Sequence, residues 1–265
     1  MVARPRIIGC GVQPYRWIQP PGLVACMGAD VAAGLLEQYW QRWNLDCRYV
    51  RRVDTASTGV SVGLVDRQLQ PRFIHTTGAN RFLTADDLRI EGLVEAGAKF
   101  LHVAGYFVLP GVLDERLGAA LKQAREAGLF TSLDVVHSPR MEHPEPLWTC
   151  LPHLDVFLCN QREAVTITGL EDYRAAASAL RLRGARAVIV KLGQDGCWVD
   201  QEGGQKRVPG VPAQVVDTTG AGDAFAAGLL AALASGADLA TACQAGNRAG
   251  ARIVGALGTV TGWDV

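Results

Sequence analysis

Apolar runs and amphipathic segments alternate along the chain, most clearly from Lys99 onward. Four mainly apolar segments have the length of buried strands: Lys99–Ala104, Leu129–Val136, Asp155–Cys159 and Ala187–Leu192. Between them, segments at about Gly111–Ala127 and Tyr173–Arg183 repeat apolar residues at helical spacing. Strands that alternate with helices predict βαβ units, and hence an α/β fold built around a mostly parallel sheet.

Elements of other kinds flank this alternating region. The N-terminal part is predicted to form two short strands and a helix: Arg6–Cys10, Leu23–Met27 and, after an N-capping Asp30, a helix to about Trp43. Thr58–Val65 alternates apolar and polar residues and can pair with Pro71–Thr76 as an antiparallel ribbon, which suits a flap better than a core. The C-terminal part is predicted to form a hairpin and two helices: Gly196–Val208, Ala221–Ala234 and Asp238–Val254.

Composition and charge argue against several classes of function. The 265 residues carry 26 basic and 26 acidic side chains, so the chain lacks the basic excess that a nucleic-acid groove or an anionic membrane surface normally requires. No apolar stretch reaches the roughly 18 residues that a membrane helix needs. Seven scattered cysteines without a C-x-x-C pair indicate the reducing cytoplasm rather than a disulfide or zinc scaffold. We therefore expect a cytoplasmic protein that binds neither nucleic acid nor membrane.

The most informative stretch is Asp217-Thr218-Thr219-Gly220-Ala221-Gly222-Asp223, which runs directly into an apolar helical pattern. The small residues Gly220–Gly222 let backbone N–H groups approach an anion, and the helix that follows adds its own donors and positive dipole end. A carboxylate repels a nearby phosphate, so we expect one at this position only if it has a chemical role. Asp223 is therefore a candidate general base for a hydroxyl that attacks a phosphoryl group. The alternative is an ordinary helix start with an aspartate in its first turn.

This stretch resembles the second signature of the ribokinase-like (PfkB) carbohydrate kinase family. Asn160 and Glu163 follow an apolar strand and resemble the N-x-x-E motif of that family. Lys191–Gly196 looks like its nucleotide-side strand and turn, while Ser57–Gly59 and Gly78–Asn80 look like the ends of its lid strands. The resemblance implies a ribokinase-like three-layer α/β/α fold in a single domain over residues 1–265, with residues 58–76 as a small β lid.

The resemblance also implies a kinase that uses ATP and Mg²⁺ to phosphorylate a hydroxyl of a sugar or nucleoside. Asp223 would be the base, and the backbone of Gly220, Ala221 and Gly222 would form an anion hole. The residues implied on the nucleotide side are Asn160, Glu163, Lys191, Gly193, Gly196, Thr218 and Asn247, of which Asn160 and Glu163 would hold Mg²⁺ through water. The residues expected on the acceptor side are Gly105, Asp134 and Asn80. The family further suggests a K⁺ site at Asp217 and Thr219 and a homodimer formed through the lid.

Several of these residues have simpler explanations. Asn160 and Glu163 have the spacing of a capping box. Asp134 could form a local loop hydrogen bond, and Asn247 could be a solvated helical residue. Ser61 matches the G-x-S-x-G motif of hydrolases, but the alternating pattern continues beyond it, where that motif requires a sharp turn and a helix. The five histidines show no metal spacing, and we expect them at the surface or in the core.

Between its first two predicted strands the chain departs from the family. Family members usually carry an Asp after the first strand, then lid strands and a G-G-x-x-x-N motif that together orient the acceptor. Here only Val12–Gly22 separates the strands, without an Asp or a Gly-Gly pair. The motifs expected for the ATP and catalytic site therefore look complete, whereas those expected for the acceptor site look incomplete. The alternative function is accordingly a catalytically impaired nucleotide-binding protein that lost its acceptor pocket.

Overall fold

The computed structural model describes residues 6–9, 21–65 and 71–259. The strands in these residues are β1 (Arg6–Gly9), β2 (Gly22–Met27), β3 (Asp46–Arg52), β4 (Val60–Val65), β5 (Pro71–Thr76), β6 (Ala98–Val103), β7 (Phe130–Asp134), β8 (Val156–Asn160), β9 (Ala187–Lys191), β10 (Cys197–Gln201) and β11 (Gly204–Val208). The α-helices are α1 (Val31–Arg42), α2 (Ile90–Glu95), α3 (Glu115–Glu126), α4 (Glu145–Cys150), α5 (Gln161–Thr168), α6 (Tyr173–Leu182), α7 (Ala221–Ala234) and α8 (Leu239–Ile253).

Most of these strands form one sheet in the order β11-β10-β9-β8-β7-β6-β1-β2-β3. The strands from β9 to β3 run parallel, and only the β10–β11 hairpin at one edge is antiparallel. The predicted α/β fold with a mostly parallel sheet is confirmed. Its parallel strands all end at the same edge, which is where open α/β sheets bind ligands.

Alternate residues of the central strands pack against helices on opposite faces of the sheet. Phe157 of β8 belongs to the larger core, together with Leu180 of α6 and residues of α3, α4 and α5. Its neighbour Leu158 belongs to a second core, together with Phe225 of α7 and residues of α8. The molecule therefore has the predicted three layers, with α7 and α8 on one face of the sheet and α3–α6 on the other.

Within the described residues, strands β4 and β5 pair only with each other and form the predicted ribbon. Its base is tied to the end of β2 through Thr58. The Thr58 hydroxyl donates to Asp30 Oδ1 at 2.6 Å and accepts from the backbone N–H of Gly28 at 3.1 Å. Asp30 Oδ1 also accepts from Ala33 N, so the predicted N-cap of α1 is present and helps to hold the ribbon.

Three elements were not predicted, because their sequences lack the patterns that indicate them. Strand β3 carries charged residues at four of its seven positions, as an edge strand can, and so offers no apolar run. Helices α2 and α4 have only six residues each, which is too short to establish a helical period. No helix in the described ranges has both the length and the apolar character that crossing a bilayer requires. The single domain over residues 1–265 stays a prediction.

Candidate active site

Three predicted site residues end neighbouring parallel strands on the same face of the sheet. Asp134 is the last residue of β7, Asn160 of β8 and Lys191 of β9. Because strand side chains alternate between faces, these residues point to the side on which Leu158 packs against α7. The first turn of α7, with Asp223, starts at this same edge. The topology therefore brings together residues that are up to 89 positions apart in the chain.

Lys191 and Asp134 form a buried ion pair. Lys191 Nζ donates to both carboxylate oxygens of Asp134 at 2.7 Å, and the two side chains are only 14% and 7% exposed. Strand β8 lies between the two strands, so a long side chain is needed to span the gap. The sequence analysis placed Lys191 at the nucleotide site and Asp134 at the acceptor site. It did not predict that the two residues pair. The available signal was that both residues end strands of one parallel sheet.

The Gly220–Gly222 turn opens α7. Gly220 has a φ of 81°, in the left-handed region that favours glycine. The N–H groups of Gly220 and Gly222 have no hydrogen-bond partner among the described residues, whereas that of Ala221 donates to the Thr218 carbonyl at 3.2 Å. Two of the three predicted donors are thus available to an anion, and both lie at the positive end of the α7 dipole.

The side chain of Asp223 is exposed, but neighbouring protein atoms lie close to its carboxylate. It lies in the first turn of α7, and the protein around it partly desolvates its carboxylate. This desolvation raises the pKa of Asp223 to about 6; the charge of Asp134 raises it further, while that of Lys191 lowers it. A carboxylate with a pKa near 6 is mostly ionised at neutral pH and yet basic enough to accept a proton.

Asn160 and Glu163 form the capping box that their spacing allows. Asn160 Oδ1 accepts from the N–H of Glu163 at 2.9 Å, and Glu163 Oε2 accepts from the N–H of Asn160 at 2.7 Å. Glu163 is buried, and burial raises its pKa to about 7, with Lys191 lowering it and Asp134 raising it. We call Asp134, Glu163, Lys191 and Asp223 the carboxyl-edge cluster. It sets three carboxyl groups around one ammonium group.

The loop before the turn is fixed by Asp217. Asp217 Oδ1 accepts from the N–H and the hydroxyl of Thr219 at 2.9 and 2.7 Å, and Oδ2 accepts from the N–H of Gly258 at 2.9 Å. Burial raises the pKa of Asp217, but these hydrogen bonds outweigh burial and hold the pKa below its ordinary value. The carboxylate therefore stays ionised and shapes the backbone that leads to Gly220.

Two other predicted nucleotide-side residues support the bend after β11. A Cβ on Gly196, which has a φ of 88°, would lie 2.1 Å from the Val208 carbonyl oxygen. Asn247 is buried rather than solvated, and its Nδ2 donates to the Pro209 carbonyl at 2.9 Å. Gly193 has a φ of 62° and open space around its Cβ position. Beyond the bend, residues 211–216 and α8 line a groove of about 510 Å³.

The predicted acceptor residues other than Asp134 belong to different elements from the cluster residues. Gly105 follows β6 with a φ of 70°, where it starts a tight turn. Asn80 lies at the base of the ribbon, where its Nδ2 would be 3.3 Å from a Cβ on Gly59. In the part of the chain that the structure describes, no hydrogen bond joins either residue to the cluster. Residues 10–20, where the acceptor motif is missing, lie outside the described residues.

Ser61 lies within strand β4, as the alternating pattern predicts, but it has a histidine neighbour. Its hydroxyl lies 2.7 Å from Nδ1 of His75, which is directly opposite on β5. The strand–turn–helix of a hydrolase elbow is absent at Ser61, and no carboxylate among the described side chains hydrogen-bonds His75. The pair is therefore a cross-strand contact on an exposed ribbon and does not form a catalytic triad.

Comparison with known proteins decides the family. Residues 15–265 match the model of the pfkB family of carbohydrate kinases. The chain belongs to this carbohydrate kinase family. The resemblance that rested on the Gly220–Asp223 stretch is thereby confirmed, and so is the enzyme class of sugar kinase.

Family relatives cover most of the chain. An "uncharacterized sugar kinase" of Archaeoglobus fulgidus is 28% identical over 89% of this chain and 92% of its own length. Mouse ribokinase is 29% identical over 82% of this chain and 67% of its own. Among solved structures, Arabidopsis thaliana ribokinase complexed with ribose and ATP superposes with a TM-score of 0.79 at 22% identity, covering 98% of this chain and 96% of the other. This structural likeness confirms the ribokinase-like fold.

Proposed function

We propose that this chain moves the γ-phosphoryl group of ATP to a hydroxyl of a sugar, a sugar-like molecule or a nucleoside. Kinases of the pfkB family transfer phosphoryl groups to sugars. For this chain the proposal rests on one observation. Asp223, with a pKa near 6, directly follows a glycine turn whose Gly220 and Gly222 N–H groups have no partner among the described residues. A base and an anion site side by side are what transfer to a hydroxyl requires.

In the proposed reaction Asp223 accepts the proton of an acceptor CH₂OH group as its oxygen attacks the γ-phosphorus. The new oxygen–phosphorus bond forms as the bond from the γ-phosphorus to the β–γ bridging oxygen breaks, and ADP leaves. The N–H groups of Gly220 and Gly222, with the dipole of α7, stabilise the charge on the transferring group. Ala221 keeps the turn narrow, because its methyl group is small and its N–H already binds Thr218.

The charges of the carboxyl-edge cluster fit a Mg²⁺ ion that arrives with ATP. Kinases of this family use ATP with Mg²⁺. Three carboxyl groups around one ammonium leave an excess of negative charge, which favours a cation. No group of three metal-ligating side chains exists among the described residues, so the fit is to an ion held through water and phosphate oxygens. Asn160 and Glu163 would hold those waters, and the ion would neutralise phosphate charge.

Replacing Glu163 with Gln is expected to raise the Mg²⁺ concentration needed for half-maximal rate. Gln removes the charge that attracts the hydrated ion but keeps an oxygen to accept from Asn160 N, so helix α5 should stay capped. Metal titrations of the rate, with thermal unfolding in parallel, check this.

A second capping box offers the control for this variant. Thr84 and Asp87 form it at a site where Asp87 also pairs with Arg51. Asp87→Asn should lower the thermal stability and leave the Mg²⁺ requirement unchanged. If Glu163→Gln behaves in the same way as Asp87→Asn, the role of Glu163 is capping alone.

We assign the nucleotide base and ribose to the groove between residues 211–216 and α8. Its volume of about 510 Å³ falls in the range of small-molecule sites. Gly196 and Asn247 would act by holding the bend that forms one wall, while Gly193, Thr218 and Lys191 would lie towards the phosphates. A K⁺ site at Asp217 and Thr219 stays a prediction. Because both Asp217 carboxylate oxygens already accept hydrogen bonds, backbone carbonyl groups would be its ligands.

An ADP-release assay over a panel of sugars and nucleosides tests the proposed function. We expect at least one acceptor to stimulate ADP formation in the presence of ATP and Mg²⁺, with a phosphorylated product detected by mass spectrometry. If ATP binds but no acceptor stimulates turnover, the proposal fails in favour of an impaired nucleotide-binding protein. The same panel identifies the acceptor molecule that Gly105, Asn80 and the ribbon are expected to contact.

We propose that two copies of the chain form a dimer through the ribbon. Val60, Val62 and Leu64 of β4, with Ile74 opposite Val62, form an apolar face on which each residue is about half exposed. A two-stranded ribbon is marginal on its own, and a contiguous apolar face indicates a contact surface. We expect a dimer by analytical ultracentrifugation and its loss in Val62→Lys. Ser61→Lys, on the opposite face, should leave the dimer intact, and a monomeric wild type would refute the proposal.

A further inference from the structure

The Asp134–Lys191 ion pair lies beneath the first turn of α7, and the proton transfer to Asp223 described above assigns it no role. A Cβ on Gly222 would lie 3.3 Å from Lys191 Nζ, so the ammonium lies close to the backbone next to Asp223. The same nitrogen contacts both oxygens of Asp134 at 2.7 Å. Burying two charges is costly unless they are closely paired, and a lysine that only packed against the sheet would not need to enter this position.

We propose that Asp134 and Lys191 are a positioning pair for the base: Lys191 places its charge beneath the turn that carries Asp223, and Asp134 partly balances that charge. This inference rests on the proposed function, because it takes Asp223 to be the base. It assigns to Lys191 a role that acts through Asp223, whether or not Lys191 also contacts the nucleotide.

The titratable groups around Asp223 and the Asp134–Lys191 pair come from four elements. Asp134 comes from β7, Lys191 from β9 and Glu163 from α5, and all of them interact electrostatically within the cluster. His102 of β6 is buried, with Nδ1 2.9 Å from the Ser132 hydroxyl; burial and the charge of Lys191 lower its pKa to about 3. His102 is therefore neutral where the enzyme works. Burial opposes the charge on Lys191, but Asp134 and Glu163 outweigh it and raise its pKa.

The two members of the pair shift the pKa of Asp223 in opposite directions. The positive charge of Lys191 lowers the pKa of Asp223, whereas the negative charge of Asp134 raises it. Removing the lysine charge should therefore raise the pKa of the base, and removing the aspartate charge should lower it. Removing both should return the pKa to near its starting value, because the two effects oppose each other.

The test is the pH dependence of kcat/KM, whose acid limb reports the base of the free enzyme. We expect this limb in wild type near pH 6, the pKa of Asp223. It should move up by about one pH unit or more in Lys191→Met, move down in Asp134→Asn and lie near wild type in the double variant. Repeating the series in a Glu163→Gln background removes the other carboxyl group that titrates near neutrality. Lys122→Met, an exposed lysine on α3, is the control that should change nothing.

A purely structural pair would lower activity in each variant without moving the limb, and that result overturns the inference. Lys191→Met leaves a buried carboxylate unpaired, and this variant could fail to fold. In that case Asp134→Asn and the double variant decide, since the first must move the limb down and the second must bring it back. If Asp223→Asn stays fully active, the base assignment of the proposed function fails. If Asp223→Asn is inactive and the limb does not move, the pair inference alone fails.

Discussion

Replacing Asp223 with Asn is expected to lower turnover by about 10²–10⁴ while leaving ATP affinity within a few-fold of wild type. Asn keeps the shape of the side chain but cannot accept the proton of the acceptor hydroxyl. The side chain is exposed, so the change should not disturb the cores on which α7 packs. Turnover at saturating ATP and acceptor, with nucleotide binding measured by calorimetry, checks the prediction.

The pH profile sharpens this test. Because the pKa of Asp223 is raised to about 6, the base is ionised above this pH and the rate should fall as the pH drops through it. The low residual rate of Asp223→Asn should lack this fall. Asp86→Asn, an exposed aspartate 79% open to solvent, is the matched control and should keep both rate and profile. Unchanged turnover in Asp223→Asn would show that another group takes the proton.

The parts of the fold that could be predicted are those in which local sequence and tertiary environment agree. Runs such as Ala187–Val190 are continuously apolar because β9 is covered by helices on both faces, and this signal is available in a single sequence. Strand β3 gave no such signal. It lies at the sheet edge, where charged residues such as Arg51 and Arg52 are tolerated because one side of the strand faces solvent.

The same distinction applies to the candidate site. The Gly220–Asp223 turn and the Asn160–Glu163 capping box are each contained in a few consecutive residues, so their local geometry follows from the sequence. The Lys191–Asp134 pair joins residues 57 positions apart, and only the order of the strands brings them together. Asn247 was expected at the adenine or in solvent. It is buried rather than solvated, and its amide donates to a backbone carbonyl 38 positions away, which no local pattern indicates; its place beside the adenine stays a prediction.

Gly220→Val is expected to abolish most phosphoryl transfer, with a rate loss of roughly 10²-fold or more, the usual effect of removing an anion-hole donor. Gly220 has a φ of 81°, and a β-branched residue adopts such a conformation only under strain. Relief of that strain would turn the N–H groups of the turn away from the phosphate. Gly222 is a less specific position to change. It has no positive φ, and a side chain there would press on Lys191 Nζ and disturb the ion pair as well.

Gly236 provides a matched control at the other end of α7. Its φ is 88°, and a Cβ there would meet open space, so Gly236→Val introduces comparable backbone strain far from the turn. Both variants should lose stability, by about 1–3 kcal/mol each. Only Gly220→Val should also lose kcat, measured on folded protein below the unfolding transition. Equal kcat values in the two variants would mean that the turn contributes backbone geometry to the fold and no stabilisation to the transferring phosphoryl group.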